Sequence, residues 1–515
     1  MKVAIVGAGL SGLVTAKVLA QFGHKVTVYE KCPDVGGTWS RTRWYPGLTT
    51  QSGKDSYHFT DFPMPDSYPE WPSGEQVHQY LDEYVKHFGL DALLQLNTEV
   101  VSIELDEVAG NIWTIGTRQS DNNKDSSMPI LATQSETFDH VVIANGVFSD
   151  PYVPTFPGLE EFQQAGGQVL HATDVHQLLG DATGKHFVIV GYGRSACDVA
   201  CALSDISSNK VVVVARELIW KIPKWIGGVL NFKYLLLTRM GEALFQYIHP
   251  HGFEQFLHNG LGKPLRDLMM SSLQAIITCQ LKLRKLGLLP DGPLEDIART
   301  TLSLVTDGFY EKVEMGAIEV HGGTHIVKLC VIDGKPSTLL SDGTIVPTDF
   351  VICGTGFHQS VPFFSMNIIK QLTDDQGNFL LYRHIHPINV PQLSFNGYNA
   401  SLFCPLSSEV AALWIANLLA GGMKLPSPNK QQLEVIEQLA WTEKRTKGKH
   451  ACGGSIIPFT FHYIDELLKD MNLTLNAHTH ICEWLLPINF GAYVGLIDEL
   501  TKRLASEGKI TFPLC

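Results

Sequence analysis

The sequence predicts an α/β protein with two dinucleotide-binding (Rossmann-like) domains, one of them discontinuous and the other inserted in it, plus a helical insertion. Three observations carry that prediction. A β-rich run at the extreme N-terminus, Lys2–Val6, leads directly into the glycine turn Gly7-Ala8-Gly9-Leu10-Ser11-Gly12 and an apolar helix to about Phe22. The same succession returns at Phe187–Val190, Gly191-Tyr192-Gly193-Arg194-Ser195-Ala196 and a helix to about Asp205. Length and composition agree: 515 residues suit two to four domains, and 44% apolar with 18% charged residues supply large cores.

Each element follows from its local pattern. Lys25–Tyr29 completes the first strand–turn–helix–strand unit, and Lys210–Ala215 completes the second. Between them, Val77, Tyr80, Leu81, Tyr84, Val85 and Phe88 recur at helical spacing. Val100–Leu105 and Ile112–Thr117 read as the strands of a hairpin, Ser120–Ser127 as a solvated loop, and Phe138–Ala144 as a further strand. Residues 226–300 lack β-rich alternation and read as a helical insertion, with Leu230–Met240 and Leu265–Leu286 as its main helices. Strand signals return at 318–353, and a helical, loop-rich tail completes the chain.

The formal charge is −13, from 39 Lys plus Arg against 52 Asp plus Glu. Nucleic acids and anionic membranes select basic surfaces, so neither is an expected partner. The ten cysteines form no CxxC pair, and no Cys/His cluster has structural-zinc spacing. The His384-Ile385-His386 run lacks an indicated third ligand, so no metal is expected. No signal-peptide core follows Met1-Lys2, and no uncharged apolar stretch reaches the ~18 residues that a span needs. The expectation is a cytoplasmic protein without a membrane span, for which a homodimer is open. Val410 to Leu419 reads as a buried helix.

The glycine turns specify what each unit can hold. Gly7 allows the tight turn, Gly9 lets a pyrophosphate approach the backbone, and Gly12 lets helix and strand pack closely. The helix N-terminus around Ser11 supplies N–H donors and a positive dipole end. Glu30, followed by Lys31, ends the second strand, where an acid accepts ribose hydroxyls. In the second unit Gly191 and Gly193 keep their places and Ala196 replaces the third glycine, which the fingerprint tolerates. Arg216 stands where the first unit has Glu30, and an arginine there can pair with a 2′-phosphate bidentately. Two such folds in one chain imply electron transfer between two cofactors, so FAD is assigned to the first turn and NADPH to the second. Their domains are expected over residues 1–160 with 346–515, and over 161–345 with the helical insertion at about 226–300.

Arg194 lies at the start of the second helix and is expected to contact the coenzyme. Ser195 can donate to a phosphate or cap the helix, and Lys221 and Lys224 either add charge around the phosphate or lie on a solvated surface. Trp220, Trp225, Tyr234, Phe245 and Tyr247 read as core or as the lining of a substrate tunnel.

At this point the residues resemble the flavin-containing monooxygenases through most of the chain. Gly36-Gly37-Thr38-Trp39 is similar to the GGTW segment that lies along the flavin in that family. Thr50-Gln51-Ser52-Gly53-Lys54 through Asp61-Phe62-Pro63 resembles its T-N-x-x-K … D-F-P stretch. Gly167-x-x-x-His171 resembles the core of its F-x-G-x-x-x-H-x-x-x-[YW] signature, and Gly354-Thr355-Gly356-Phe357 its A-T-G-Y segment, where the chain returns to the flavin. The expected cofactor-binding set therefore takes in Gly37, Thr38, Trp39, Val100, Thr355 and Gly356, and Gln51 becomes the catalytic candidate. Three positions depart from the signature: its leading Phe is displaced (Phe162 is nearby), its last aromatic is Val175, and the family's Asn is Gln51. Tyr45-Pro46-Gly47 is similar to the related Baeyer–Villiger monooxygenases, which carry an Asp at the position of Gln51. His171 reads as a hinge or cofactor contact, or as a structurally bonded histidine.

The resemblance implies a mechanism. NADPH reduces FAD, the reduced flavin reacts with O2, and a C4a-(hydro)peroxyflavin awaits a small organic substrate in a pocket that excludes water. A neutral amide at Gln51 favours the electrophilic hydroperoxide, hence oxygenation at N or S. Baeyer–Villiger insertion beside a ketone ranks second and carbon hydroxylation third. From other classes, an NADPH-dependent flavin reductase expects a redox CxxC, which is lacking. A non-catalytic NADPH sensor has Gln51 as the one feature pointing to it.

Overall fold

The computed structural model describes residues 1–108, 110–119, 134–178, 180, 182–299, 303–399, 401–446 and 459–510. The Ser120–Ser127 run, expected as a solvated loop, lies outside them. The chain divides into two compact units. One comprises Met1–Thr42, Ser52–Ser149 and Gln359–Cys515; the other comprises Arg43–Gln51 and Asp150–His358.

Each unit is organised by a parallel sheet of five strands. In chain order these are β1 (Lys2–Val6), β2 (Lys25–Tyr29), β3 (Leu94–Gln95), β4 (His140–Ile143), β5 (Gln168–His171), β6 (Phe187–Val190), β7 (Val211–Ala215), β8 (Ile318–Gly322), β9 (Phe350–Cys353) and β10 (Leu393–Phe395). The helices that bear on the sites are α1 (Leu10–Gln21), α2 (Arg194–Ile206), α3 (Lys263–Gln280) and α4 (Cys404–Leu419). The first sheet runs β10-β4-β1-β2-β3 and the second β8-β7-β6-β9-β5. Their central strands are continuous apolar runs, with Val3, Ala4, Ile5, Val141, Val142 and Ile143 fully buried, because both faces are covered: in the first unit Ala4, Val141 and Ile143 share a core with Ile103, Trp113 and Ile115 of an antiparallel hairpin. Helices α1 and α4 are apolar around most of their circumference and buried along most of their length, as that pattern requires.

Three elements differ from expectation. Phe138–Ala144 divides at Asp139: Gln134–Phe138 joins an antiparallel sheet with the hairpin strands Thr98–Asp106 and Ile112–Gln119, while His140–Ile143 joins the parallel one. Leu230–Met240 is not one helix. Gly227 and Gly228, at φ +61° and +78°, turn Trp225–Ile226 back onto Leu230–Asn231 as a small hairpin, and short helices follow at Lys233–Leu236 and Arg239–Ala243. Leu265–Leu286 is α3 plus a separate turn at Leu283–Leu286, because Lys282 adopts φ +53° between them.

The compact units divide at other positions than the expected domains. The cuts expected after residues 160 and 345 fall inside the second unit, which runs from Asp150 to His358 and also holds Arg43–Gln51. The physical cause is strand pairing: Phe350–Cys353 lies beside Phe187–Val190, in register from Phe187↔Phe350 to Val190↔Cys353. Arg43–Gln51 is tied in by side-chain hydrogen bonds at Tyr45, Thr49 and Gln51.

The first sheet carries a pH-dependent element. His140 is 3% exposed and bonded through Nε2 to Ser394 Oγ at 3.0 Å, and burial presses its pKa to about 3. The unfolded chain binds that proton near pH 6.5 and the folded chain does not. Its contribution is therefore full above about 6.5 and lost as pH falls below it, by about 1.4 kcal/mol per pH unit. The thermal midpoint should drop between pH 7 and 5, and less steeply in His140→Gln. Parallel curves for the two proteins would contradict this.

Candidate functional site

The first turn separates glycines required by the fold from one that leaves room for a ligand. Gly7 has φ +107°, and a Cβ there would lie 2.5 Å from the Ala144 carbonyl oxygen after β4. A Cβ on Gly12 would collide with the Gly7 carbonyl. Gly9 has an ordinary φ of −77°, and its added Cβ would meet only the Gly37 backbone, 3.6 Å away at the nearest atom. Gly37, at φ +59°, faces it, so two bare backbones meet over the turn. Gly9 gives α1 no side-chain cap, which leaves the first-turn N–H groups available to an anion. The turn thus presents uncapped backbone N–H groups that an anion can approach.

The neighbouring candidates have distinct roles. Glu30 is buried and braces the turn: Oε2 accepts from the Ala8 N–H at 2.8 Å and Oε1 from the Cys32 N–H at 2.9 Å. Ser11 shares a 2.8 Å hydrogen bond with Ser408 of α4. Trp39 is buried and its Nε1 donates to the Tyr57 hydroxyl at 3.0 Å. Lys31 and Thr38 are exposed, and Val100 packs half-buried against the core of this unit.

The second turn repeats the design with one inversion. Gly191 has φ +114°, and a Cβ there would lie 2.5 Å from the Gly354 carbonyl oxygen after β9. Gly193 is the N-cap of α2, again without a side-chain cap, and a Cβ on it would meet nothing within 4 Å. The methyl of Ala196 is accommodated because Gly354 opposes it; a Cβ on Gly354 would lie 2.6 Å from the Ala196 Cβ. In the first unit Gly12 of the helix faces Ala144 of the strand end. One methyl fits at each such crossing, and the two units place it on opposite partners. Thr355 and Gly356, expected beside the flavin, thus follow a strand of the second sheet. The Thr355 hydroxyl donates to the Tyr152 carbonyl, and the Gly356 carbonyl accepts from the Tyr152 N–H at 3.0 Å.

The structure turns Arg194 inward. Its Nε donates to Asp198 at 2.8 Å, Nη1 to the Val305 carbonyl at 3.2 Å and Nη2 to Thr49 Oγ1 at 3.1 Å. Ser195 Oγ shares a 3.0 Å bond with the Tyr45 hydroxyl. Arg216, just past β7, is exposed, and no described residue pairs with it. Lys224 donates to Asp307 at 2.6 Å, whereas Lys221 is fully enclosed.

Gln51 meets a strap that sequence reasoning did not single out. Its Oε1 accepts from the Leu304 N–H at 3.1 Å. The same strap exchanges backbone bonds with Ile222, at 3.0 Å from the Ile222 N–H to Ser303 and 2.9 Å from the Val305 N–H to Ile222. It follows residues 300–302 with no glycine or motif to mark it, so only the fold identifies it.

His171 is bonded structurally. Its Nε2 donates to the Gly356 carbonyl at 3.1 Å and its Nδ1 accepts from Thr173, while burial lowers its pKa and keeps the ring neutral. Of the aromatics weighed as tunnel lining, Trp220 and Phe245 are buried, and Trp225 and Tyr234 are exposed. Among the described residues, no group of three His, Cys, Asp or Glu could hold a metal, and no helix is long and apolar enough to cross a membrane.

With this geometry in place, comparison with known proteins gives consistent matches. The model of the flavin-binding monooxygenase-like family matches residues 1–487. A probable flavin-containing monooxygenase 1 of Arabidopsis thaliana is 26% identical, covering 92% of each chain. Flavin-containing monooxygenase 1 of Homo sapiens is 26% identical over 99% of this chain and 90% of its own. Among solved structures, the S-allyl-L-cysteine S-oxygenase of Allium sativum aligns with TM-score 0.59 and 19% identity, covering 98% of each chain. Cyclohexanone monooxygenase of Rhodococcus sp. Phi1 bound to NADP+ aligns with TM-score 0.65 and 17% identity, over 91% of this chain and 96% of that one. The structural likenesses speak to the shared fold.

Proposed function

The chain belongs to the flavin-binding monooxygenase-like family and is a flavin-dependent monooxygenase, and from that premise we propose that it takes FAD at the first glycine turn, NADPH at the second, and transfers one oxygen atom of O2 to N or S of a small organic molecule. The observation that carries the cofactor reading is the pair of uncapped helices, α1 and α2, with open space over Gly193 and only the bare Gly37 backbone over Gly9. Bound flavin, once reduced by the coenzyme, supplies the oxygen activation. This chain's residues bind and orient: Glu30 holds the first turn in shape, and Arg216 offers an unpaired guanidinium to a 2′-phosphate.

The choice of N or S rests on Gln51. Its carbonyl oxygen is held by the Leu304 N–H, which leaves the amide N–H2 as the group free to donate. A neutral donor adds no negative charge at the site, in contrast to an aspartate. Under 18O2, amines or sulfides should stimulate NADPH oxidation and give singly labelled N-oxide or S-oxide. Gln51→Ala should keep NADPH oxidation but divert more of it to hydrogen peroxide. One lost hydrogen bond, ~1 kcal/mol, makes that diversion roughly fivefold. Unchanged coupling in the variant would remove Gln51 from the reaction.

Baeyer–Villiger oxidation is the second reading, favoured by Tyr45-Pro46-Gly47, whose tyrosine is bonded to Ser195 of the second turn. Labelled lactone or ester from ketones, with nothing from amines and sulfides, would put it first.

A further inference from the structure

We propose that Lys221 takes up a proton when the coenzyme binds, so that the second glycine turn gains a buried positive charge only with its anionic ligand in place. The inference rests on the assignment of NADPH to this turn and adds to it a binding residue and a linked proton.

Lys221 is 2% exposed. Its Nζ donates to Ser303 Oγ at 3.2 Å and lies 4.9 Å from the ring centroid of Tyr192, the residue between Gly191 and Gly193. From α2, the charged or titratable groups facing it are Arg194, Cys197 and Asp198. Tyr192 faces it from the turn, and Tyr310, bonded to the Tyr192 hydroxyl at 3.3 Å, stands behind that ring. The one carboxylate of the group, Asp198, already accepts from Arg194 and Thr306. Burial holds the Cys197 thiol and both tyrosine hydroxyls above their ordinary pKa values, so they stay neutral. Among the described residues, no carboxylate therefore pairs with Lys221 directly.

An enclosed ammonium without its own anion favours the neutral amine. Burial lowers the Lys221 pKa most and the Arg194 charge adds to it, while Cys197, hydrogen-bonded to the amine, and Asp198 oppose the shift without reversing it. A pyrophosphate arriving at the uncapped α2 N-terminus brings negative charge to the same turn, where little water screens it. The lysine pKa then rises. Between the free and bound values binding absorbs a proton, so coenzyme affinity weakens as pH rises through that window.

The experiment is calorimetric titration of the FAD-loaded enzyme with NADP+, which permits no turnover, in buffers of different ionisation enthalpy. The titrations run at a series of pH values from about 8 to 10, where histidines are neutral and the 2′-phosphate is fully ionised, so neither supplies the proton signal and the Lys221 window is located by the measurement. The wild type should absorb a substantial fraction of one proton per NADP+. Lys221→Arg, charged throughout, should bind without uptake; Lys221→Met should also show no uptake and bind on the order of tenfold more weakly near pH 7. Binding with no proton uptake in the wild type, or with the same uptake in Lys221→Met, would overturn the role of Lys221 alone. Absence of any NADP+ binding would overturn the coenzyme assignment and this inference with it.

Discussion

Gly9→Val should give folded protein that purifies without flavin. The residue has an ordinary φ, and a Cβ there would touch only the Gly37 backbone at a normal contact distance of 3.6 Å, so no backbone clash opposes the substitution at that atom. The bulk goes where a pyrophosphate must approach. Overpacking costs about 1–3 kcal/mol, and its upper end lowers FAD affinity by more than ~100-fold. Gly7 and Gly12 are unsuitable for this test, because side chains there would run into backbone and disturb the fold itself. The check is flavin absorbance per protein together with the thermal midpoint of the apoprotein. Full flavin occupancy in a stable Gly9→Val protein would reassign the turn.

Arg216→Ala should weaken NADPH while leaving NADH nearly unchanged. Its guanidinium is exposed at the end of β7 with no partner among the described residues, so the substitution breaks nothing within the fold. A charge-assisted bidentate pair is worth roughly 1.5–3 kcal/mol, or about 10- to 150-fold in affinity. The measurement is the dissociation constant of each coenzyme. Equal losses for both would move the phosphate contact away from this residue. Arg194 is a poor alternative, since each of its guanidinium nitrogens already donates within the unit.

The comparison of Glu30 with Arg216 separates what was legible in the chain from what was not. Both end the second strand of their unit, and that placement follows from β periodicity alone. Burial does not: Glu30 is enclosed and bonded to two backbone amides, while Arg216 stands in solvent. Fully apolar strands and glycines at obligatory positive φ mark themselves locally, which made both strand–turn–helix units recognisable. The helical insertion was blurred for the converse reason, because its breaks at Gly227-Gly228 and Lys282 interrupt otherwise ordinary apolar spacing.

What the sequence by itself determined is therefore the pair of glycine turns, the strands and helices that flank them and the charge that follows each. These depend on backbone dihedrals and on side-chain period over a few neighbouring residues. Only the tertiary structure decided which glycines the fold itself requires, because the deciding contacts, Gly7 with Ala144 and Ala196 with Gly354, join distant parts of the chain. It likewise decided that Arg194 turns to Thr49 and Asp198, that Gln51 is held by Leu304, and that Lys221 is enclosed beside Tyr192. A side chain's charge is written in the sequence; its solvation and its partner depend on which remote segment folds against it.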